Sequence, residues 1–362
     1  MIPVNKPYIP PQTEYNVYVN GIWKRNWLTN HGPLVNEFEL KLKELFGIEH
    51  NLFVVNGTFA LQLAIKALEL RGEVITTPVS YVATTSSLVW EGLTPVFADI
   101  DSKSLNIDPD TIESCLSDKT SAILATHVYG NPCDIDAIQQ VADKHNLPVI
   151  YDAAHCFGTT YKGRSVLNFG TISTISYHAT KVFHTVEGGG VFTHQPGLLE
   201  KMARLRNFGH TSAYTFKGAG VNGKSSEFHA AMGLANLSYI DQILQRRKYL
   251  NDYYDAQLRN LNVRRPKWNP LGNVTYAYYP LIFESEKQLL IQQEKLNENN
   301  IQTRRYFYPS LSTLDYVDHS SDTPIADDLS KRVLCLPMYH ELSEEEVDLI
   351  TRIMLRTQNY NY

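Results

Sequence analysis

Residues 121–155 read SAILATHVYGNPCDIDAIQQVADKHNLPVIYDAAH. An apolar run ("SAILATHVYG"), a segment with apolar residues at helical spacing ("DIDAIQQVADKHN") and a second apolar run ("LPVIY") follow one another. This is strand, helix, strand, the unit that sets parallel strands side by side under a covering helix. The same alternation extends outward from about Asn51 to Thr193. Upstream, "LFVV" precedes "TFALQLAIKALEL", "EVITT" precedes "YVATTSSLVWEG", and "PVFADI" follows; downstream come "TISTIS" and "VFT". The pattern predicts an α/β fold with a mostly parallel sheet covered on both faces. Ligands of such sheets sit at the carboxyl ends of the strands.

Beyond Thr193 the alternation stops. A long helical pattern is expected over Glu227–Leu258, and then "VTYAYYPLIFE" (strand), "EKQLLIQQEKLNENN" (helix), "KRVLCLP" (strand) and "SEEEVDLITRIML" (helix) read as a smaller α+β unit. With 362 residues the chain exceeds what one core usually serves. We divide it into a large domain, 1–245, and a small C-terminal domain, 246–362. The 33 basic and 38 acidic residues give a net charge of -5, so neither a nucleic acid nor a membrane surface is an expected partner. Cys115, Cys133, Cys156 and Cys335 have no paired spacing, which suits reduced thiols. No signal-peptide pattern and no apolar run of about 18 residues is present, and the expected location is the cytoplasm.

Lys181 lies in "SYHATKVFHTVEGGGVFT", residues 176–193. A neutral amine is a good carbonyl nucleophile, and burial lowers a lysine pKa enough to supply one; a solvated lysine at a loop start is the plain alternative. The glycines at 188–190 are expected to turn the chain sharply behind the lysine. Asp152 closes the run "LPVIY", so its carboxylate is placed at the sheet edge and needs a partner. That partner is either the following "AAHCFG" turn, capped by the side chain, or a pyridinium nitrogen, which an aspartate keeps protonated in enzymes that use pyridoxal 5'-phosphate (PLP). In "VVNGTFALQ" a strand passes through Gly57 and Thr58 into a helix, whose free N–H groups suit a phosphate, or simply a capped turn. Ser176 is a further phosphate donor. Tyr81, opening a helix in "PVSYVATT", could lie flat on a planar cofactor or merely pack there. His155 is placed to bond a ring hydroxyl or a backbone group. The twelve histidines show no metal-ligand spacing, so no metal is expected. The dinucleotide fingerprint GxGxxG and the P-loop GxxxxGK[ST] are both missing.

In order along the chain, "NGTFALQLAI", "PVSYVATTSSLVWEGLTPVFADID", "YDAAHCFGTTYKG", "SYHATKVFHTVEGGGVFT", "LRNFGH" and "VNGKSSEFHAAMG" resemble the sugar-nucleotide aminotransferases of the DegT/DnrJ/EryC1/StrS group. These are fold type I PLP enzymes, and the likeness covers nearly the whole chain. The resemblance implies a large domain with a mostly parallel seven-stranded sheet, a smaller C-terminal α+β domain, and a homodimer with shared active sites. It implies that Lys181 is the Schiff-base lysine, Asp152 the pyridinium partner and Tyr81 the stacking aromatic. Gly57, Thr58 and Ser176 fall on phosphate-binding positions, His155 beside the ring hydroxyl, and Asn222 where an asparagine reaches the phosphate of the neighbouring subunit's cofactor. Relatives that remove a sugar hydroxyl carry histidine in place of the lysine, so Lys181 implies transamination.

The implied reaction moves an amino group from L-glutamate to a nucleotide-linked 4-keto-6-deoxy sugar. "RRYFYPSL" together with "VNGKSSE" is similar to enzymes that convert dTDP-4-dehydro-6-deoxy-D-glucose to dTDP-4-amino-4,6-dideoxy-D-glucose for O-antigen or other glycans. A 3-keto isomer and UDP- or GDP-linked sugars are the alternatives. Thr29, Asn30, Lys224, Tyr306 and Tyr308 are the expected substrate contacts, and Ser312 stands where many relatives carry a histidine near the sugar nucleotide. Two rivals come from other classes. One is an amino-acid-metabolising fold type I enzyme, an amino-acid aminotransferase or a desulfurase; a desulfurase needs a nucleophilic cysteine on a mobile loop, whereas Cys335 in "RVLCLP" reads as a buried strand residue. A silent PLP-binding regulator would keep the scaffold without turnover.

Overall fold

A computed structural model describes residues 1–318 and 321–361. Seven strands form the main sheet: β1 (His50–Val54), β2 (Glu73–Thr76), β3 (Thr94–Phe97), β4 (Thr120–Thr126), β5 (Val149–Asp152), β6 (Ile172–Ser176) and β7 (Gly189–Thr193). Their spatial order is β1-β7-β6-β5-β4-β2-β3. Only β7 runs antiparallel to its neighbours; β6, β5, β4, β2 and β3 pair in parallel. Both faces are covered, as a parallel sheet requires, and the pleat sorts adjacent residues into two cores. Phe53, Ile123, Tyr151 and Phe192 join the cluster on one face, and Leu52, Val54, Leu124, Ile150 and Val191 the cluster on the other.

Helices α1 (Gln12–Arg25), α2 (Pro33–Phe46), α3 (Gly57–Ala67), α4 (Ala83–Trp90), α5 (Ile135–His145) and α6 (Pro196–Leu205) supply most of the cover. Asn56 caps α3 by accepting from the Phe59 N–H at 2.7 Å, and Asp134 caps α5 through the Ala137 N–H at 3.1 Å. The helix expected over Glu227–Leu258 is two helices, α7 (Glu227–Leu237) and α8 (Ile240–Gln257). Tyr239 breaks the run because its ring packs on Tyr8, 5.4 Å between centroids, and its hydroxyl bonds Glu14. Tertiary contacts of one side chain override a continuous helical periodicity.

The glycine reading also changes. None of Gly188, Gly189 and Gly190 has a left-handed φ; β7 begins at Gly189. They are small because neighbours leave no room. A Cβ at Gly188 would strike the Thr185 hydroxyl, one at Gly189 the Asn56 carbonyl, and one at Gly190 would lie 2.8 Å from the Tyr177 hydroxyl. The constraint is close approach, not a turn.

A second, antiparallel sheet of β8 (Val263–Arg264), β9 (Tyr279–Phe283) and β10 (Val333–Leu336) lies with α9 (Glu286–Glu298), α10 (Pro324–Arg332) and α11 (Glu344–Asn361). Its core is separate: Leu250, Tyr254, Leu281, Leu289, Leu334 and Ile350, with Ile2 from the chain start. Ile2 is held there by its N–H on the Asn300 carbonyl and its carbonyl under the Gln302 N–H, each at 2.9 Å. In "VTYAYYPLIFE" only Tyr279–Phe283 is strand. Cys335 is a buried strand residue, as expected, and the four cysteines are free. Among the described residues no helix is long and apolar enough to cross a membrane.

Candidate active site

Three strand ends meet at one cavity of about 400 Å³. After β1 the chain reaches Asn56, Gly57 and Thr58 at the start of α3; β5 ends at Asp152; β6 ends at Ser176 and leads into the loop that carries Lys181. All of these line the cavity, together with Tyr81, His155, Tyr278, Tyr306 and Phe307. Gly57 is there because Ser176 is close: a Cβ at 57 would lie 2.8 Å from the Ser176 Cβ. The lysine loop is pinned by backbone bonds, Tyr177 N–H to Gly188 O at 2.8 Å, Ala179 N–H to Val186 O at 2.8 Å and Lys181 N–H to His178 O at 2.9 Å.

The electrostatics follow from burial. Lys181 is half-buried by area, yet its amine is desolvated enough to draw its pKa from 10.5 to about 8, against the opposing charge of Asp152. Asp152 is 6% exposed, and burial pushes its carboxyl above the usual aspartate range. The Thr84 hydroxyl, 2.7 Å from Oδ2, the Ala154 N–H, 3.1 Å from Oδ1, and the charge of Lys181 all oppose that rise. His155 is held well below the usual histidine range by burial first and by the charge of Lys181 second, so its ring is neutral. That ring stacks on Phe307 at 5.3 Å and meets Tyr278 edge-on at 5.0 Å, while both ring nitrogens are buried without a hydrogen-bond partner.

Of the residues expected from the sequence, Gly57, Thr58, Tyr81, Asp152, His155, Ser176, Lys181 and Tyr306 are brought together. The rest are not. Tyr308 lines a second cavity of about 400 Å³, which shares Ser80, Tyr81, Tyr306 and Phe307 with the first. Thr29 and Asn30 are exposed on the loop before α2. Asn222 is exposed and bridges Asn207; the Lys224 amine is 2.7 Å from Asn207 Oδ1 and lies over the Phe208 ring at 5.2 Å. Ser312 is buried 3.1 Å from Asp327 Oδ1 and 2.9 Å from the Thr323 hydroxyl, inside the small unit's own polar network. Sequence reasoning missed Tyr278, Phe307 and Thr84. The first two sat in aromatic runs read as strand or substrate loop, and Thr84, one turn beyond Tyr81, was the available signal for the third.

The residues fit PLP. A desolvated carboxylate has its burial offset only in part by Thr84, Ala154 and the charge of Lys181, a neutral histidine has orphan nitrogens, a lysine is drawn toward neutrality, and a helix start is backed by a glycine with no room for a side chain. Fold and site define a PLP-dependent aminotransferase. The chain belongs to the DegT/DnrJ/EryC1/StrS aminotransferase family, whose model matches residues 11–355. It is 40% identical to a dTDP-4-amino-4,6-dideoxy-D-glucose transaminase of Escherichia coli, with 98% of each chain covered. The relative of that name from Shigella dysenteriae is 42% identical, with 96% of each covered. Among solved structures, DesI in the presence of its TDP-sugar product superposes with a TM-score of 0.94 at 32% identity, covering 98% of this chain and 93% of that one.

Proposed function

We propose that the protein transfers an amino group from L-glutamate to dTDP-4-dehydro-6-deoxy-D-glucose, forming dTDP-4-amino-4,6-dideoxy-D-glucose for O-antigen or another glycan. The observation that carries the transaminase chemistry is the pairing of Lys181 with Asp152 in one cavity at the strand ends. The sugar is supported by the full-length identity to the two transaminases of that product. When bound, PLP supplies an electron sink and a carrier for the amino group.

The places of the residues support the following roles. Gly57 and Thr58 offer N–H groups of the first turn of α3 to the phosphate, with the Ser176 hydroxyl beside them. Asp152 would keep the ring nitrogen protonated through its charge, and an orphan nitrogen of His155 would bond the ring hydroxyl. Tyr81, 57% exposed at the cavity mouth, offers its face to the ring and shields it from water. Lys181 would hold the cofactor through its aldehyde and, when free, could move a proton at the donor α-carbon, a task suited to an amine whose pKa burial draws down to about 8. Tyr306 and Tyr308, with Thr29, Asn30 and Lys224, form the sugar-nucleotide side. Asn222 serves the phosphate of the partner's site in a homodimer; its exposure in one chain supports that reading. The separate cores support a division near 245/246, within α8, except that Ile2 from the chain start is lodged in the second core. Free thiols at all four cysteines are in keeping with the cytoplasm.

The test has two stages. L-Glutamate alone must convert bound PLP to pyridoxamine phosphate, followed by absorbance; no conversion would leave a silent binder or a different donor. The loaded protein is then offered dTDP-linked 4-keto and 3-keto sugars and UDP- and GDP-linked 4-keto sugars, with product stereochemistry read by NMR. Faster amination of any but the dTDP-linked 4-keto sugar overturns the assignment.

A further inference from the structure

Ser80, Thr84 and Thr126 are almost fully buried and come from three segments: the loop after β2, the first turn of α4 and the end of β4. The Thr84 hydroxyl lies 2.7 Å from Asp152 Oδ2 and 2.7 Å from the Ser80 hydroxyl, and the Thr126 hydroxyl lies 3.2 Å from that of Ser80. Each hydroxyl owns a single proton. An ionised carboxylate can only accept, so Thr84 spends its proton on Asp152. Ser80 must then donate to Thr84, and Thr126 to Ser80. Three hydroxyl dipoles therefore point one way and end on Oδ2, a sequence in which each bond polarises the next. A threonine in a first helical turn ordinarily bonds its own local backbone; this one reaches a residue 68 positions away.

We propose that Thr84 is a positioning residue for the cofactor: as the last member of the relay Thr126–Ser80–Thr84, it holds Asp152 ionised and fixes the carboxylate plane for the ring nitrogen. The inference rests on the pairing of Asp152 with that nitrogen proposed above. Oδ1 is held by the Ala154 N–H and Oδ2 by Thr84, so one donor on each oxygen sets the plane. Both bonds favour the charged form and offset part of its burial cost. Removal of Thr84 lets the carboxyl drift toward its neutral form, and its attraction for a protonated nitrogen falls with the charge.

The experiment compares PLP with its 1-deaza analogue, which has carbon at the ring-nitrogen position and keeps the same aldehyde and phosphate. Full-length protein is stripped and reconstituted, and the dissociation constant of each compound is measured for wild type, Thr84→Val and Thr84→Ser. Loss of a hydrogen bond to a charged group should weaken PLP about ten- to a hundredfold in Thr84→Val. The analogue should change by less than about threefold, because the coupling runs through an atom it lacks. Thr84→Ser should restore the wild-type value for PLP. Equal losses for both compounds mean that Thr84 only packs, and overturn the inference. If Thr84→Val does not fold, Ser80→Ala carries the test: a smaller loss confined to PLP supports the relay, and a loss without that selectivity refutes it. Wild-type protein that binds both compounds equally sinks the Asp152 pairing itself, an outcome distinct from failure of the Thr84 inference alone.

Discussion

The inner wall of the cavity and the loops expected to meet the substrate are built differently. The inner wall, Gly57, Asp152, His155, Ser176 and Lys181, comes from strand ends of one sheet and the turns that follow them, and is buried or half-buried. Thr29, Asn30, Asn222 and Tyr308 lie outside that cavity, exposed on loops, and Lys224 is tied to Asn207. A rigid sheet edge holds the chemistry to within tenths of an ångström, while loops can change without disturbing it. On the function proposed above, substrate choice falls to these exposed loops.

The strongest way to break this comparison is Lys181→Ala. Among the described residues Lys181 is the one lysine lining the cavity, so turnover should vanish while PLP stays bound through the phosphate and ring contacts, and borohydride should fix no cofactor to the chain. A reduced adduct found by peptide mass on another lysine would place the inner wall elsewhere. Asp152→Asn should be next, slowing both half-reactions by roughly three orders of magnitude or more with the fold intact, because the ring loses its proton and its pull on carbanion charge. Stopped-flow rates near wild type would remove Asp152 from the chemistry.

The third test sharpens the division between one chain and two. Asn222→Glu, which sets an acid against a phosphate, should inactivate the homodimer. Mixed with Lys181→Ala subunits it should regain activity on exchange, because one site of each hybrid then has both native residues. Confirmed exchange without activity would return Asn222 to the role of a turn residue. The smallest effect concerns the buried amine of the cofactor-free protein. Folding lowers the Lys181 pKa from 10.5 to about 8, so between those values the unfolded chain binds the more protons and stability rises with pH. Below about 8 the cost of burying the charged amine is present in full. Cofactor-free Lys181→Met should therefore melt a few degrees above wild type at pH 7, and the gap should narrow from pH 8 to 10.5. A gap that is constant with pH would contradict the desolvated amine.

Much of the inner wall was legible in the sequence. Asp152 at the end of "LPVIY" and Gly57 in "VVNGTFALQ" are placed by strand periodicity and by the turn that follows, both local matters. The relay was not legible, since Ser80, Thr84, Thr126 and Asp152 belong to four separate segments and meet only when β4 and β5 pair and α4 docks above them. Tyr239 shows the same limit. Nothing in the helical run around it signals a break, which arises from contacts with Tyr8 and Glu14 more than 200 residues earlier.

The sequence by itself determined the α/β class, because alternating strand and helix periodicity is local; the seven-stranded sheet and the choice of Lys181 and Asp152 as the reacting pair came from the resemblance of six ordered segments to one family. Tertiary structure alone decided why residues 188–190 are glycines, where the long helix breaks, and which hydroxyls reach Asp152. It also decided that Lys181 is desolvated enough to work near neutral pH. All of these depend on what approaches from a distant part of the chain: a missing Cβ is explained only by the atom that would have struck it, and a shifted pKa only by the solvent that other segments exclude.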